Sequence, residues 1–294
     1  MDSWVFFAFF GTFLFALSSI IDKITISNYF KKPTFQIASG LLYDSIAIGL
    51  LFLVTKIVIP SNEILIAGIA CGLCLLIALY LFYKAIASGE VSVVMISYQI
   101  IPVFVLILAT VFLKEVLSLN QYIGMALLLI GSLIVSIEKT ESFKLKKASI
   151  FIIISALFFS INQILYKFMV DRIDPANAFF WSQAIFPIIF LGIFAFNSKY
   201  FIETIKNSKK GVVLDILSEF ATLGGRYAAT IALAGGFVIL VSGIISTLPL
   251  MVFILATILS ILFPKILKEE INRQTIMQKG IAIILVIAGT ILVS

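Results

Sequence analysis

Hydrophobic residues run along this chain in long continuous blocks that short polar segments separate. The blocks are rich in Leu, Ile and Phe, and most approach the 20 or so residues that a helix needs to cross a bilayer. Strands of a membrane barrel would instead be about ten residues long and would alternate polar with apolar positions. The pattern therefore predicts an all-α integral membrane protein with ten transmembrane helices, near residues 3–21, 35–57, 64–83, 91–113, 118–137, 148–168, 177–196, 212–234, 237–263 and 277–293.

Composition agrees with this prediction. The chain is 62% apolar and 12% charged, with a mean hydropathy of +1.18, whereas a soluble domain carries about 25% charged residues. No basic segment precedes the first hydrophobic block, which is long enough to span, so we interpret it as a crossing and not as a signal peptide. We expect a multi-pass protein of the cell membrane with little chain left for a soluble domain.

Composition also limits the chemistry. Histidine is absent, which excludes imidazole as a general base, proton shuttle or metal ligand. Cys71 and Cys74 fall inside one apolar block, where we interpret them as small buried residues, so neither a metal site nor a cofactor is expected. The net charge of +6 lies mainly in short loops and does not indicate a nucleic-acid partner. Gly68 and Gly72 favour close helix approach, either within this chain or to a second subunit.

A weak internal duplication divides the chain. Residue types recur 147 positions apart, as in Pro102 and Pro249, Gly89 and Gly236, and Ala109-Thr110 and Ala256-Thr257. A block with an odd number of spans ends on the side opposite to its start, so its copy inserts upside down. We therefore predict two inverted five-helix repeats, residues 1–137 and 148–294, joined by a basic linker at 138–147. Inverted repeats with a site between them are common in secondary transporters.

Charged residues at membrane depth are the first candidates for a site. A charge there costs several kcal/mol even on lenient scales, so it usually lines a cavity or pairs with a partner. Asp44 lies in the second predicted span, and Asp215, Glu219, Thr222 and Arg226 share one side of the eighth. Two interpretations stay open: a solute site, or an ion pair that fixes helix packing. Asp44 fits a pocket carboxylate and a partner of Arg226 equally well.

Neutral polar residues and prolines add further candidates. Gln99, Asn162, Gln163 and Thr247 fall inside predicted spans, where such side chains bind a solute or, more often, hold helices together. Pro102 and Pro249 occupy equivalent positions in the fourth and ninth spans. A proline inside a helix removes a backbone hydrogen bond and bends the helix. We predict both prolines as hinges, with a static kink as the alternative.

The order and spacing of these features resemble the EamA type of the drug/metabolite transporter superfamily over nearly the whole chain. The residues that carry the resemblance are Lys23 and Lys167, Pro102 and Pro249, Glu115 and Glu269 or Glu270, and Gly124 and Gly280. The resemblance implies a basket of helices around a central cavity lined by the first, third, fourth, sixth, eighth and ninth spans. That lining favours Gln99, Asn162, Gln163, Glu219, Arg226 and Thr247 over Asp44. Members of the superfamily export amino acids, metabolites or drugs.

The expected function is therefore a secondary transporter, most simply an exporter, of a small polar metabolite or amino-acid-like solute by alternating access. Glu219 is the candidate for proton coupling or for binding a solute amine, and Arg226 for binding a carboxylate or phosphate. A flippase for a lipid or lipid-linked headgroup is the alternative on the same scaffold. A membrane enzyme is disfavoured because no cluster of catalytic residues appears at the membrane surface. The expected partners are the solute and membrane lipid, and monomer and homodimer both stay open.

The orientation of the chain gives two opposite expectations. Most Lys and Arg residues fall in the connections between spans 1 and 2, 3 and 4, 5 and 6, 7 and 8, and 9 and 10. The positive-inside rule places these connections in the cytoplasm and both termini outside. The family resemblance implies both termini in the cytoplasm. The sequence leaves the side open.

Overall fold

The computed structural model describes residues 2–30, 33–88, 98–136, 147–262 and 273–293. Within these ranges the protein is helical and contains no strand. The linker residues 138–146, together with Gly89, Glu269 and Glu270, lie outside the described residues. The helices are α1 Ser3–Asn28, α2 Pro33–Val54, α3 Asn62–Ser88, α4 Ile101–Leu108, α5 Leu119–Ser136, α6 Lys147–Val170, α7 Pro175–Gln183, α8 Phe186–Asn207, α9 Lys209–Gly235, α10 Val238–Ile245, α11 Leu248–Leu262 and α12 Arg273–Val293.

The composition of the helices is that of a membrane protein. Six described segments are long and apolar enough to cross a bilayer: Ser3–Thr25, Ile37–Val54, Asn62–Phe82, Ile150–Val170, Pro175–Asn207 and Val238–Leu262. Three shorter apolar segments accompany them: Tyr98–Leu113, Leu119–Ile134 and Gly280–Val293. Large apolar side chains such as Phe196, Val54 and Ile284 point outward, as they do where lipid and not water is the solvent.

Two of the apolar segments are broken, and a proline follows each break. Pro187 lies in the first turn of α8, after the end of α7, and Pro249 lies in the first turn of α11, after the end of α10. Pro102 likewise lies in the first turn of α4, after the 3₁₀ turn Tyr98–Ile100. Proline has no backbone N–H, and in the first turn this costs no hydrogen bond, because an N–H at that position has no acceptor within the helix. A helix break therefore replaces the interior kink expected at Pro249, and a 3₁₀ turn directly precedes the helix of Pro102; hinge motion at both stays a prediction.

Three helix pairs make the most extensive contacts: α1 with α9, α3 with α6, and α5 with α12. Glycines permit close approach in two of them. A Cβ added to Gly11 on α1 would lie 2.9 Å from the carbonyl oxygen of Gly225 on α9. A Cβ added to Gly124 on α5 would lie 2.8 Å from that of Gly289 on α12. Small residues let these backbones meet, which is how helices associate without a hydrophobic driving force between them.

Gly68 and Gly72 serve the same purpose within the chain. A Cβ on either glycine would lie 2.7 Å from a backbone oxygen of α7, that of Trp181 for Gly68 and that of Ser182 for Gly72. The contact predicted from their spacing is therefore made to a helix of the same chain. Cys71, between them, is buried and not disulfide-bonded.

Candidate solute-binding cavity

A cavity of about 360 Å³ lies between α1, α2, α3, α6 and α9. Its volume falls in the lower part of the range of small-molecule sites. The residues that line it are Phe15, Asp22, Ile37, Gly40, Leu41, Asp44, Leu75, Leu76, Leu79, Phe159, Asn162, Gln163, Tyr166, Phe186, Glu219, Thr222, Arg226, Ala229, Thr230, Leu233 and Ile245.

The cavity has two unlike walls. The α3 wall is purely apolar and consists of Leu75, Leu76 and Leu79. The α9 wall carries Glu219 and Arg226. These residues are seven positions apart, about two turns, and therefore lie on the same side of the helix. A solute in this space therefore meets hydrocarbon on one side and ionisable groups on the other.

Arg226 is held by two buried partners. Its Nη2 forms an ion pair with Asp44 on α2, and its Nη1 donates to Oε1 of Gln183 at 3.2 Å. Gln183 is itself fixed, because its Nε2 donates to the carbonyl oxygen of Phe179 at 3.2 Å. The two interpretations of Asp44 thus hold together, since it pairs with Arg226 and also lines the cavity. The Nε of Arg226 is buried without a hydrogen-bond partner among the described residues.

Glu219 differs from Asp44 in having no such partner. The ion pair of Arg226 goes to Asp44, and within the described ranges no residue donates a hydrogen bond to the Glu219 carboxylate. Gly40 on α2 leaves room for this group, because an added Cβ there would lie 3.2 Å from Oε1 of Glu219. Glu219 therefore presents an uncommitted carboxylate to the cavity.

Hydroxyl groups continue the polar surface along the contact between α1 and α9. The hydroxyl of Ser18 lies 2.9 Å from that of Ser218 and 2.6 Å from that of Thr222, and the hydroxyl of Ser218 also donates to the carboxylate of Asp22. This network brings Asp22 into the cavity wall. Asp215 is buried, at 1% exposure, outside that wall.

The neutral candidates divide between the cavity and the helix packing. Asn162 lines the cavity, but its Nδ2 donates to the carbonyl oxygen of Cys71 at 2.9 Å and so also joins α6 to α3. Gln163 lines the cavity with an Oε1 that has no partner among the described residues. Gln99 and Thr247 are outside the wall, and the Thr247 hydroxyl donates to the carbonyl oxygen of Ile244 at the break before α11, at 2.7 Å.

Sequence reasoning missed Tyr166. Its ring lines the cavity, and its hydroxyl is hydrogen-bonded to Ser182 on α7. The sequence spacing could have predicted this position, because Tyr166 follows Asn162 by four residues and therefore lies on the same face of the helix. Gln183 has no such signal, since only the fold brings it to Arg226.

The corner between α9 and α10, residues 234–237, is anchored by two residues that carried the family resemblance. Glu115 is buried, and its carboxylate accepts hydrogen bonds from the N–H groups of Val238 at 2.9 Å and Ile239 at 3.3 Å, at the start of α10. Burial raises the pKa of Glu115, while those two hydrogen bonds act in the opposite direction. Lys167 donates from Nζ to the carbonyl oxygen of Leu233 at 2.9 Å. Both residues thus have positioning roles at one end of the cavity.

Comparison with known proteins shows what this chain is similar to. The model of the EamA-like transporter family, part of the drug/metabolite transporter superfamily, matches residues 2–137. Members of that family are transporters and not enzymes. An uncharacterized protein from Methanocaldococcus jannaschii is 28% identical over 139 residues, which are 47% of this chain and 99% of the relative.

Among solved structures, one crystal structure, described only as that of a protein, has the same fold with a TM-score of 0.72. The match covers 99% of this chain and 96% of that chain, at 13% sequence identity. This likeness shows the fold alone.

Proposed function

We propose that this chain, whose residues 2–137 match the EamA-like transporter family, is a secondary transporter that carries a small organic solute across the cell membrane through its cavity. The observation that carries the proposal is the cavity itself. The carboxyl group of Glu219, the ion-paired guanidinium of Arg226 and an apolar wall surround a space of about 360 Å³ between apolar helices. Intramembrane charges are costly, and they usually mark a solute or ion pathway.

The pairing of helices supports two inverted five-helix repeats. The contact of α1 with α9 joins the first helix of one half to the third crossing of the other, and the contact of α6 with α3 repeats this relation with the halves exchanged. The contact of α5 with α12 joins the last helices of both halves. Such a two-fold relation, with a cavity between the halves, suits alternating access, in which the halves rock around a central site.

In this mechanism Glu219 binds a proton or a cationic solute group, and exchange between the two couples transport to the proton gradient. Arg226 positions Asp44, which lines the cavity on α2, and joins α9 to Gln183 on α7. The direction that we propose is export.

A transport assay in proteoliposomes tests the function. Liposomes that contain the purified protein are incubated with a small-molecule extract of the expression host, and the captured solutes are identified by mass spectrometry. We expect at least one solute to accumulate above protein-free liposomes, and to do so much less with Glu219→Gln and with Arg226→Ala. Glu203→Gln, at an exposed position of α8, should transport normally. Size-exclusion chromatography checks that each variant is folded.

Two results would count against this function. Equal solute content in protein-free and wild-type liposomes would argue against transport. Unchanged accumulation with both cavity variants would return Glu219 and Arg226 to a structural role.

A further inference from the structure

Contacts between α1 and α9 locate the two ends of the cavity. An added Cβ at Gly235, the last residue of α9, would lie 3.0 Å from Cβ of Trp4 in the first turn of α1. An added Cβ at Gly211, near the start of α9, would lie 2.6 Å from Cβ of Tyr29, which directly follows α1. The two helices are therefore antiparallel. The end of α9 lies beside the start of α1, and we call this end of the cavity the amino-terminal end.

The cavity wall is buried at the amino-terminal end and partly exposed at the other. Thr230 and Leu233, in the last two turns of α9, line the cavity with exposed fractions of only 2% and 4%. Asp22 and Ile37, which line it toward the end of α1 and the start of α2, are partly exposed. These exposures indicate that the cavity is closed at the amino-terminal end.

The corner between α9 and α10, residues 234–237, forms the closure. Trp4 packs against it, since an added Cβ at Gly236 would lie 2.7 Å from Cδ2 of the indole ring. The first four residues of α10, Val238–Val241, are at most 1% exposed. The last carbonyls of α9 and the first N–H groups of α10 have no partners within their own helices, so other groups must bind them at this buried corner.

Two buried ionisable side chains supply those partners. Glu115, at 5% exposure, accepts hydrogen bonds from the first two N–H groups of α10 at 2.9 and 3.3 Å. Lys167, at 8% exposure, donates to the carbonyl oxygen of Leu233 at 2.9 Å and pairs with Asp171 at 2.8 Å. Such charge-assisted hydrogen bonds are about twice as strong as neutral ones. Glu115 belongs to the first predicted half and α10 to the second, so its hydrogen bonds also join the two halves.

The lysine that corresponds to Lys167 in the predicted first repeat has a different environment. Lys23, 144 positions earlier, lies near the end of α1 and therefore at the opposite end of the cavity, where it is exposed. In alternating access between inverted halves, the two ends of the cavity close in turn. Equivalent residues then differ in burial between the closed and the open end, as these two lysines do.

We infer that Glu115 and Lys167 form a lock that keeps the cavity closed at the amino-terminal end, and that the structure is the state reached from the opposite end. Opening at the amino-terminal end requires the corner to leave both side chains. The inference rests on the proposed function and adds the residues that set the balance between its two states. Glu115 and Lys167 are positioning residues, because neither lines the cavity.

The accessibility of a cysteine in the cavity wall tests the lock. Ala229→Cys, in a Cys71→Ala/Cys74→Ala background, places one thiol in the wall on α9. Its rate of reaction with a small membrane-impermeant methanethiosulfonate is measured in intact cells and in inverted vesicles. Ser61→Cys, in the connection between α2 and α3, identifies the side of the amino terminus. We expect Ala229→Cys to react at least about tenfold faster from the opposite side, as when one state is favoured by that factor.

Variants of the lock should shift this preference. Lys167→Met removes the donor and Glu115→Ala the acceptor. Each should raise the rate from the amino-terminal side relative to the other by about tenfold, as the loss of a hydrogen bond to a charged group provides. Lys167→Arg keeps a cationic donor and should retain the wild-type ratio. Glu63→Ala, at an exposed position in the first turn of α3, is the matched control for Glu115→Ala and should leave the ratio unchanged.

The outcomes separate the lock from the transport function. Faster reaction of the wild-type background from the amino-terminal side, or an unchanged ratio in both lock variants, overturns the inference. So does an equal rise of both rates, which would mean a general loosening of the fold, or an equal shift in Lys167→Arg and Lys167→Met. Size-exclusion chromatography checks folding, and the two Lys167 variants decide alone where Glu115→Ala does not fold.

Solute uptake by proteoliposomes provides the independent measurement. A shifted ratio without uptake supports the lock and rejects transport. Uptake with an unchanged ratio leaves transport standing and rejects the lock.

Discussion

Arg226 is the residue on which the arrangement of the cavity depends. Its guanidinium joins α9 to Asp44 on α2 and to Gln183 on α7, so three elements meet at one side chain. Taking two charges out of water is costly, and a buried pair stabilises a fold weakly compared with an apolar alternative. Removing only one partner is strongly destabilising, because the other charge then stays buried without compensation.

We therefore expect Asp44→Asn to destabilise the protein by about 3–5 kcal/mol, as is typical when one partner of a buried pair is removed. The double variant Asp44→Asn/Arg226→Gln removes both charges and should recover much of that loss. Thermal unfolding in detergent, followed by circular dichroism, measures both effects. Asp2→Asn, at an exposed position before α1, is the matched control. A single variant as stable as this control would mean that Asp44 does not compensate Arg226.

At the scale of the helix, apolar blocks predicted where helices lie but not where they end. The sixth crossing was expected at 148–168 and extends over Lys147–Val170. The seventh was expected at 177–196, yet α8 continues to Asn207, because polar residues such as those of 197–207 are compatible with a helix outside the bilayer. The contacts at helix ends, such as the hydrogen bonds of Glu115 to α10, join distant parts of the chain and leave no periodic signal.

Glycine positions test how tightly the elements pack. In Gly72→Ala, the new Cβ would lie 2.7 Å from the Ser182 carbonyl oxygen and 2.8 Å from Cγ2 of Ile185, so α7 must move away from α3. We expect a loss of about 1–3 kcal/mol, the usual cost of overpacking. Gly49→Ala, in the middle of α2, meets nothing within 4 Å and should unfold like the wild type. Equal melting temperatures for the two variants would contradict the close contact of α3 and α7.

At the scale of the whole molecule, part of the candidate site followed from sequence and part did not. Glu219, Arg226 and Asp44 were identifiable because charge is rare in apolar blocks, and all three line the cavity. Their pairing was not identifiable, since Asp44 and Arg226 are 182 residues apart and only the fold determines which acid meets the guanidinium. Gln99 and Thr247 were favoured by analogy with the family, but in this chain they lie outside the cavity wall.

The proposed inverted arrangement of the halves leads to a prediction about the sides of the membrane. With ten crossings, Ser61 follows two of them and Asn120 follows four, so both belong to the side of the amino terminus, whereas Lys209 follows seven and belongs to the opposite side. Single cysteines at these exposed positions, in a Cys71→Ala/Cys74→Ala background, can be labelled with a membrane-impermeant maleimide in intact cells and in inverted vesicles. We expect Ser61→Cys and Asn120→Cys to react from one side and Lys209→Cys from the other.

The same labels decide between the two expected orientations. Labelling of Lys209→Cys only in inverted vesicles would follow the positive-inside rule and place the termini outside. Labelling of it only in intact cells would follow the orientation that the family resemblance implies. Reaction of Ser61→Cys and Lys209→Cys from the same side would require an even number of crossings between them. The ten crossings predicted from the sequence would then be wrong between these positions, and the proposed mechanism of alternating access between oppositely inserted halves would lose its support.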